Sequence, residues 1–245
     1  AETFITFTRE YSYDGLGCLW FITEKVSAKG RYPVEVAQIL PARLCEEELL
    51  ALRVAGEQVN QLVGQRLGPF HNEIKLSDSG YRTAVVEPNR RPGGMKIWTL
   101  AHAVYGVDLY AAWIDSAFEG GVRAVLAPAA CSAATVMLGV PCDMTVDVTE
   151  LGDPHVMAHD ALLLAAQALV LNMADVEIME SAWVTGESRL VHAVPQDNND
   201  FLAYACVMLR CATADIRHLV EVLRREWLEV VSQTLASAHK FEALS

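Results

Sequence analysis

Residues 70–76 and 81–87 alternate polar and apolar side chains on either side of Ser77-Asp78-Ser79-Gly80. That pattern folds as a β-hairpin, and a hairpin fixes which side chains share a face because the strand period is two. With Asp78-Ser79-Gly80 as a three-residue loop whose glycine takes the left-handed position, Ser77 pairs with Tyr81, Glu73 faces Val85 and His71 faces Glu87. Glu73 and Glu87 are then diagonal neighbours on one face, about 7 to 8 Å apart at the backbone. Asn89 and Arg91 continue the alternation on that face. Two carboxylates so placed can close on one or two hard cations. Magnesium suits such a set, because it takes oxygen ligands and is commonly held by one or two carboxylates together with a substrate's phosphates; the amide oxygen of Asn89 is a fitting addition. Arg91, planar and permanently charged, can grip a phosphoryl or carboxylate oxygen with two hydrogen bonds.

The plain alternative is a solvated hairpin whose exposed face happens to be charged, a common arrangement. The segment Glu87-Pro88-Asn89-Arg90-Arg91-Pro92-Gly93-Gly94 weighs against it. Two prolines remove donors from a strand, and a glycine pair lets backbone approach a ligand.

Elsewhere the chain reads as a mixture of strands and helices. Residues 4–26 give two strands with no leading helix, so the chain is expected to open inside a domain. A polar stretch at 27–32 feeds a strand at 34–40. Glu46-Glu47-Glu48 opens a helix with Leu49, Leu52, Ala55, Val59 and Leu62 on its spacing, and the three negative charges favour a helix N-terminus. An apolar helical stretch at 97–118 is interrupted near Gly106, and Glu119-Gly120-Gly121 is the expected domain boundary, giving units 1–120 and 121–245. Beyond it come strands at 133–138, 144–148, 176–184, 188–194 and 201–209, a buried helix at 156–172, and a final helix with Thr213 as its expected N-cap and Asp215 in its first turn. The fold class is α+β.

Composition removes several functions. Of 245 residues, 52% are hydrophobic and 20% charged, which suffices for at least one full core. A formal net charge of −12 disfavours nucleic acid and anionic membrane as partners. The six cysteines form no C-x-x-C pair, so reduced thiols in a cytoplasmic chain are expected. The stretch at 156–172 is too short and too interrupted by His159, Asp160 and Gln167 to span a membrane. His155 and His159 sit four apart, as a helical zinc pair would, but no further ligand accompanies them. Gly15-x-Gly17 lacks the third glycine of a dinucleotide fingerprint, and neither a serine-hydrolase elbow nor a P-loop is present. Trp98 and Trp113 read as core residues.

Three strings together resemble the ATP-grasp superfamily, in its L-amino-acid ligase branch: His71-Asn72-Glu73-Ile74-Lys75, Glu87-Pro88-Asn89-Arg90-Arg91-Pro92-Gly93-Gly94 and Gly106-Val107-Asp108-Leu109. Upstream, Glu10-Tyr11-Ser12-Tyr13-Asp14-Gly15 is similar to the strand after the family's adenine hinge, and residues 32–42 to its substrate-side loop. Residues 195–201 resemble the branch's C-terminal domain more loosely. The resemblance implies the C-terminal part of an ATP-grasp fold, an antiparallel sheet with helices, followed by a smaller α+β domain. It implies ATP as cofactor with magnesium, or manganese in its place, held by Glu73, Glu87 and Asn89, and Glu2 near the adenine. Arg91 and His71 become the candidate catalytic residues, with Glu35, Gln38, Arg91, Gly93 and Gly94 binding substrate.

The activity so implied is ATP-dependent joining of a carboxylic acid to an amine, with an amino acid among the substrates and an acyl-phosphate between the two steps. The partners expected are those small molecules, an N-terminal ATP-grasp half in the same or another chain, without which the chain is inactive, and a second copy as a homodimer. Three departures from the family pattern stand out: Gln38 replaces the usual His, Arg90 the usual Pro, and the upstream half of the fold is absent. They leave open a non-catalytic or split partner domain, and a different acid-activating enzyme such as a biotin-dependent carboxylase component or a D-alanine ligase relative.

Overall fold

A computed structural model describes residues 6–28, 32, 34–184, 186 and 188–242, with backbone alone for 238–242. Glu2 lies outside the described residues. Two compact units divide the chain: the first takes the described residues of Ala1–Val26 and Gln38–Ser132, the second those of Ser27–Ala37 and Ala133–Ser245. The expected boundary at 119–121 coincides with a helix end inside the first unit, where Gly120 adopts φ +73°.

The first unit starts with strands β1 (Arg9–Leu16) and β2 (Leu19–Ser27), joined by a two-residue turn in which Gly17 takes φ +59°. Strand β3 (Glu35–Leu40) follows, counted in the second unit up to Ala37 and in the first from Gln38, then helix α1 (Glu46–Leu62) and the hairpin of β4 (Pro69–Leu76) and β5 (Thr83–Asn89). The order β5-β4-β1-β2 is antiparallel throughout, with β5 at the edge.

Alternation along these strands makes two different faces. Tyr11, Tyr13, Ile22, Phe70, Ile74 and Leu76 lie on one and form a core with Leu52 and Ala55 of α1. The three glutamates of the first turn of α1 favour its N-terminus, and Glu48 closes it by accepting from the Cys45 amide (3.1 Å). The helix meets the sheet at Gly56, where an added Cβ would stand 2.3 Å from the Tyr13 ring. The opposite face carries Ser12, Asp14, Thr23, Lys25 and His71, all buried yet polar. Helix α2 (Ile97–Tyr105) covers part of it, with Tyr105 against Phe21 (5.7 Å between ring centres). Helix α3 (Leu109–Glu119) is capped by Asp108, whose carboxylate accepts from the Ala111 amide (2.9 Å). Trp98 of α2 is buried, in edge contact with Tyr110 and Trp113, whereas Trp113 itself is 40% exposed and so belongs only partly to the core.

The second unit is built from β6 (Ser132–Leu138), a small ribbon of β7 (Met144–Val146) and β9 (Arg189–Val191), β8 (Val176–Trp183) and β10 (Ala203–Leu209), with helices α4 (Pro154–Ala168) and α5 (Ile216–Glu242). Its main strands run β6-β10-β8. Asp153 and Pro154 start α4 as cap and first residue. The cap of α5 is Asp215, which accepts from the Arg217 amide (3.0 Å), and not the expected Thr213. Thr213 instead bonds Cys211 (3.3 Å), two residues too early to reach the helix amides. His155 and His159 are exposed on α4, and His155 bonds Ser181 (3.1 Å). Among the described residues no helix is long and apolar enough to cross a membrane, and no cluster of three or more His, Cys, Asp or Glu could hold a metal.

The contact between Gly56 and Tyr13 is directly testable. Gly56→Ala should destabilise the protein by about 1–3 kcal/mol through overpacking, although alanine is the better helix former by about 1 kcal/mol. Chemical denaturation measures the sign.

Candidate functional site

The hairpin register differs from the expected one. Ser77 pairs with Arg82, donating its amide to the Arg82 carbonyl (2.8 Å), so the loop is the four residues Asp78 to Tyr81, with Gly80 at φ +78°. Ile74 lies opposite Val85, but Glu73 lies opposite Glu87, and Val86 is the extra residue of a bulge between them. His71 faces Asn89. The expected pairs Ser77 with Tyr81, Glu73 with Val85 and His71 with Glu87 are therefore corrected. A longer loop shifts the register by one and the bulge by one more, which restores the shared face. Glu73 and Glu87 are thus direct cross-strand neighbours, with Cβ atoms about 4.5–5.5 Å apart. His71 and Asn89 form the adjacent rung.

Like charges directly opposite on a sheet repel, and the polar face supplies the compensation. Lys25, 2% exposed at its side chain, reaches Glu73 (2.9 Å) and Glu10 (3.0 Å). The His71 ring sits 3.2 Å from Glu73 through Nε2 and 2.6 Å from Asp14 through Nδ1. Asp14 in turn accepts from Ser12 (2.5 Å) and Thr23 (2.7 Å). Burial works against a charged His71, but the bonds to Asp14 and then Glu73 outweigh it and push its pKa up to about 9. The His71 bond holds the Glu73 carboxyl down at about 2, against burial and with help from Lys25. Glu87 is exposed, and its Oε1 accepts from the Asn89 side-chain amide (2.8 Å).

Past β5 the backbone turns sharply. Arg90 points back to the end of α1, donating to Gln65 (3.1 Å) and to the Val63 carbonyl (3.5 Å), while exposed Arg91 donates to the Pro92 carbonyl (3.1 Å). Gly93 packs so tightly that an added Cβ would stand 2.9 Å from His71 Nδ1 and 3.0 Å from Asp14 Oδ1; Gly94 has open space around it. Met95 and Lys96 follow in left-handed backbone (φ 47° and 63°). Such residues cost of order 1–3 kcal/mol each and concentrate at functional sites. Glu35 and Gln38 lie three apart on β3, which puts them on opposite faces of that strand; Glu35 is half-buried and Gln38 buried.

Sequence reasoning overlooked Ser12, Asp14, Thr23 and Lys25 as parts of the site. A signal for the first pair was present, since Ser12 and Asp14 alternate with Tyr11 and Tyr13.

No family model and no curated protein matches the sequence. Solved structures do. The chain superposes on an L-amino acid ligase from Bacillus licheniformis with a TM-score of 0.67 and 16% identity, covering 91% of this chain and 51% of that one. A phosphoribosylglycinamide synthetase from Anaerococcus prevotii gives 0.63 and 11%, over 89% of this chain and 52% of that one. An N5-carboxyaminoimidazole synthase from Aspergillus clavatus, solved with ADP, gives 0.58 and 13%, over 94% and 53%. The fold is that of the C-terminal part of ATP-grasp enzymes. The chain spans about half the length of these solved structures.

On this ATP-grasp framework the donor set fits a hard divalent ion. Two carboxylates share one face, an amide side chain sits beside them, and the ligands are all oxygens. Glu73, Glu87 and Asn89 would hold it.

The raised pKa of His71 lies above its ordinary 6.5, so its contribution to stability is complete below pH 6.5 and is lost as pH climbs through 9. Without added divalent ion, stability should fall by up to about 3 kcal/mol over that window. His71→Gln should flatten the fall, as urea denaturation at pH 6 and 9.5 would show, and the His71 ring should titrate near 9 by NMR.

Proposed function

We propose that this chain supplies the metal- and phosphate-binding face of an ATP-dependent carboxylate–amine ligase acting on an amino acid. The observation that carries the proposal is the direct opposition of Glu73 and Glu87 on adjacent strands, with Asn89 on the next rung. Like charges so placed repel; Glu73 and Glu87 would hold a magnesium ion arriving with ATP, whose charge would offset the repulsion and that of the phosphate oxygens.

The chain's own residues have separable tasks. Glu73 and Glu87 would hold the metal ion and through it orient the triphosphate. Arg91, exposed on the turn after β5, carries a permanent positive charge that would steady the γ-phosphoryl group as the substrate carboxylate attacks it and ADP leaves, and afterwards the tetrahedral intermediate formed when the amine adds to the acyl-phosphate carbonyl and phosphate is expelled. Gly93 and Gly94 let backbone come close to substrate. Gln38 of β3 would contact the amino acid, and Glu2 would serve the adenine. Arg90, the departure from the usual proline, is engaged with Gln65 and Val63 and leaves the glutamate pair untouched.

In the complete protein, Glu87→Ala should reduce ATP consumption to below about 1% of wild type, as expected when a metal ligand is lost at a phosphoryl-transfer site. Turnover unchanged by this substitution rejects the assignment. Product analysis with candidate acids, amines and bicarbonate distinguishes an amide-forming ligase from a carboxylase.

A further inference from the structure

Glu73 would be a soft ligand if its side chain were free to rotate, and the structure shows what stops it. Glu73 Oε1 is met by Lys25 Nζ at 2.9 Å and by the His71 ring through Nε2 at 3.2 Å, and the other ring nitrogen is clamped by Asp14 at 2.6 Å. Asp14 is completely buried and is itself fixed by two hydroxyls, Ser12 of β1 and Thr23 of β2, at 2.5 and 2.7 Å. Three strands therefore determine where one carboxylate points. The same pair of side chains is also the surface on which the glycine turn rests: Gly93 approaches so closely that a Cβ would come within 2.9 Å of His71 Nδ1 and 3.0 Å of Asp14 Oδ1.

We propose that Asp14 and His71 form a positioning dyad that aims the Glu73 carboxylate at the metal and seats the turn carrying Arg91 at a set distance from it. This rests on the metal-binding reading of Glu73 and Glu87. Both members of the dyad are buried behind Glu73. Outer groups that orient metal ligands typically change metal affinity by about 10- to 100-fold when removed, and a purely structural buried pair would change stability alone.

The test measures Mn2+ affinity by electron paramagnetic resonance, with ADP present, on the complete protein, alongside melting curves and the Mg2+ dependence of ATP consumption. His71→Ala and Asp14→Ala should each weaken Mn2+ binding about 10- to 100-fold, and kcat at saturating Mg2+ should also fall because the turn has lost its seat. Asp14→Asn, which keeps a hydrogen-bonding group against the ring, should recover most of the affinity lost in Asp14→Ala. If the alanine variants do not fold, the double variant Asp14→Asn/His71→Phe fills the same space without a lone buried charge and should show the same weakening. Mn2+ affinity within twofold of wild type in the folded variants, while Glu87→Ala abolishes binding, overturns the dyad and leaves the metal site standing. Binding that survives Glu87→Ala as well overturns both.

Discussion

Two carboxylates directly across from one another on adjacent strands repel, and the first unit is arranged around Glu73 and Glu87 in that relation. The neighbouring face shows how the repulsion is contained. Lys25 and His71 press on Glu73 from one side, and Asp14 holds His71 against burial. Glu87 accepts from the Asn89 side-chain amide and stays in contact with solvent. The rung is thus compensated on its buried half and open on its exposed half, which under the proposed function is where a divalent ion with its phosphates would enter.

The same sheet explains how such a polar face is tolerated. Its reverse side is a conventional apolar core of tyrosines, Phe70 and Ile74 under α1. Burial there supplies stabilisation that scales with apolar area, while buried charges on the other side depend on being fully paired. The left-handed Met95 and Lys96 add strain beside the glycine pair. The left-handed pair follows directly on Gly93, which packs against Ile97, His71 and Asp14.

Much of this was legible in the chain. Helix α1 follows from its acidic start and apolar spacing, α2 and α3 from one apolar stretch broken near Gly106, and the strands from their alternation. The opposed glutamates were placed on one face with Asn89, although the pairing assumed for them was wrong. The error had a local cause: a four-residue loop and the bulge at Val86 both depend on backbone packing that residue types do not encode strongly. The α5 cap was misassigned by two residues for a similar reason, since Thr213 and Asp215 are both good capping residues and only the helix start decides between them.

The sequence by itself determined the class of elements, the alternating faces, and the presence of two glutamates, an asparagine and an arginine near a glycine turn. Those are local properties, set by spacing along one stretch of chain. Only the tertiary structure decided that Glu87 stands opposite Glu73, that Lys25 and Asp14 from β2 and β1 reach the same face, and that Gly93 lies on the Asp14–His71 pair. Each of these joins residues far apart in sequence, and such contacts arise from strand order and register, which the whole sheet settles together.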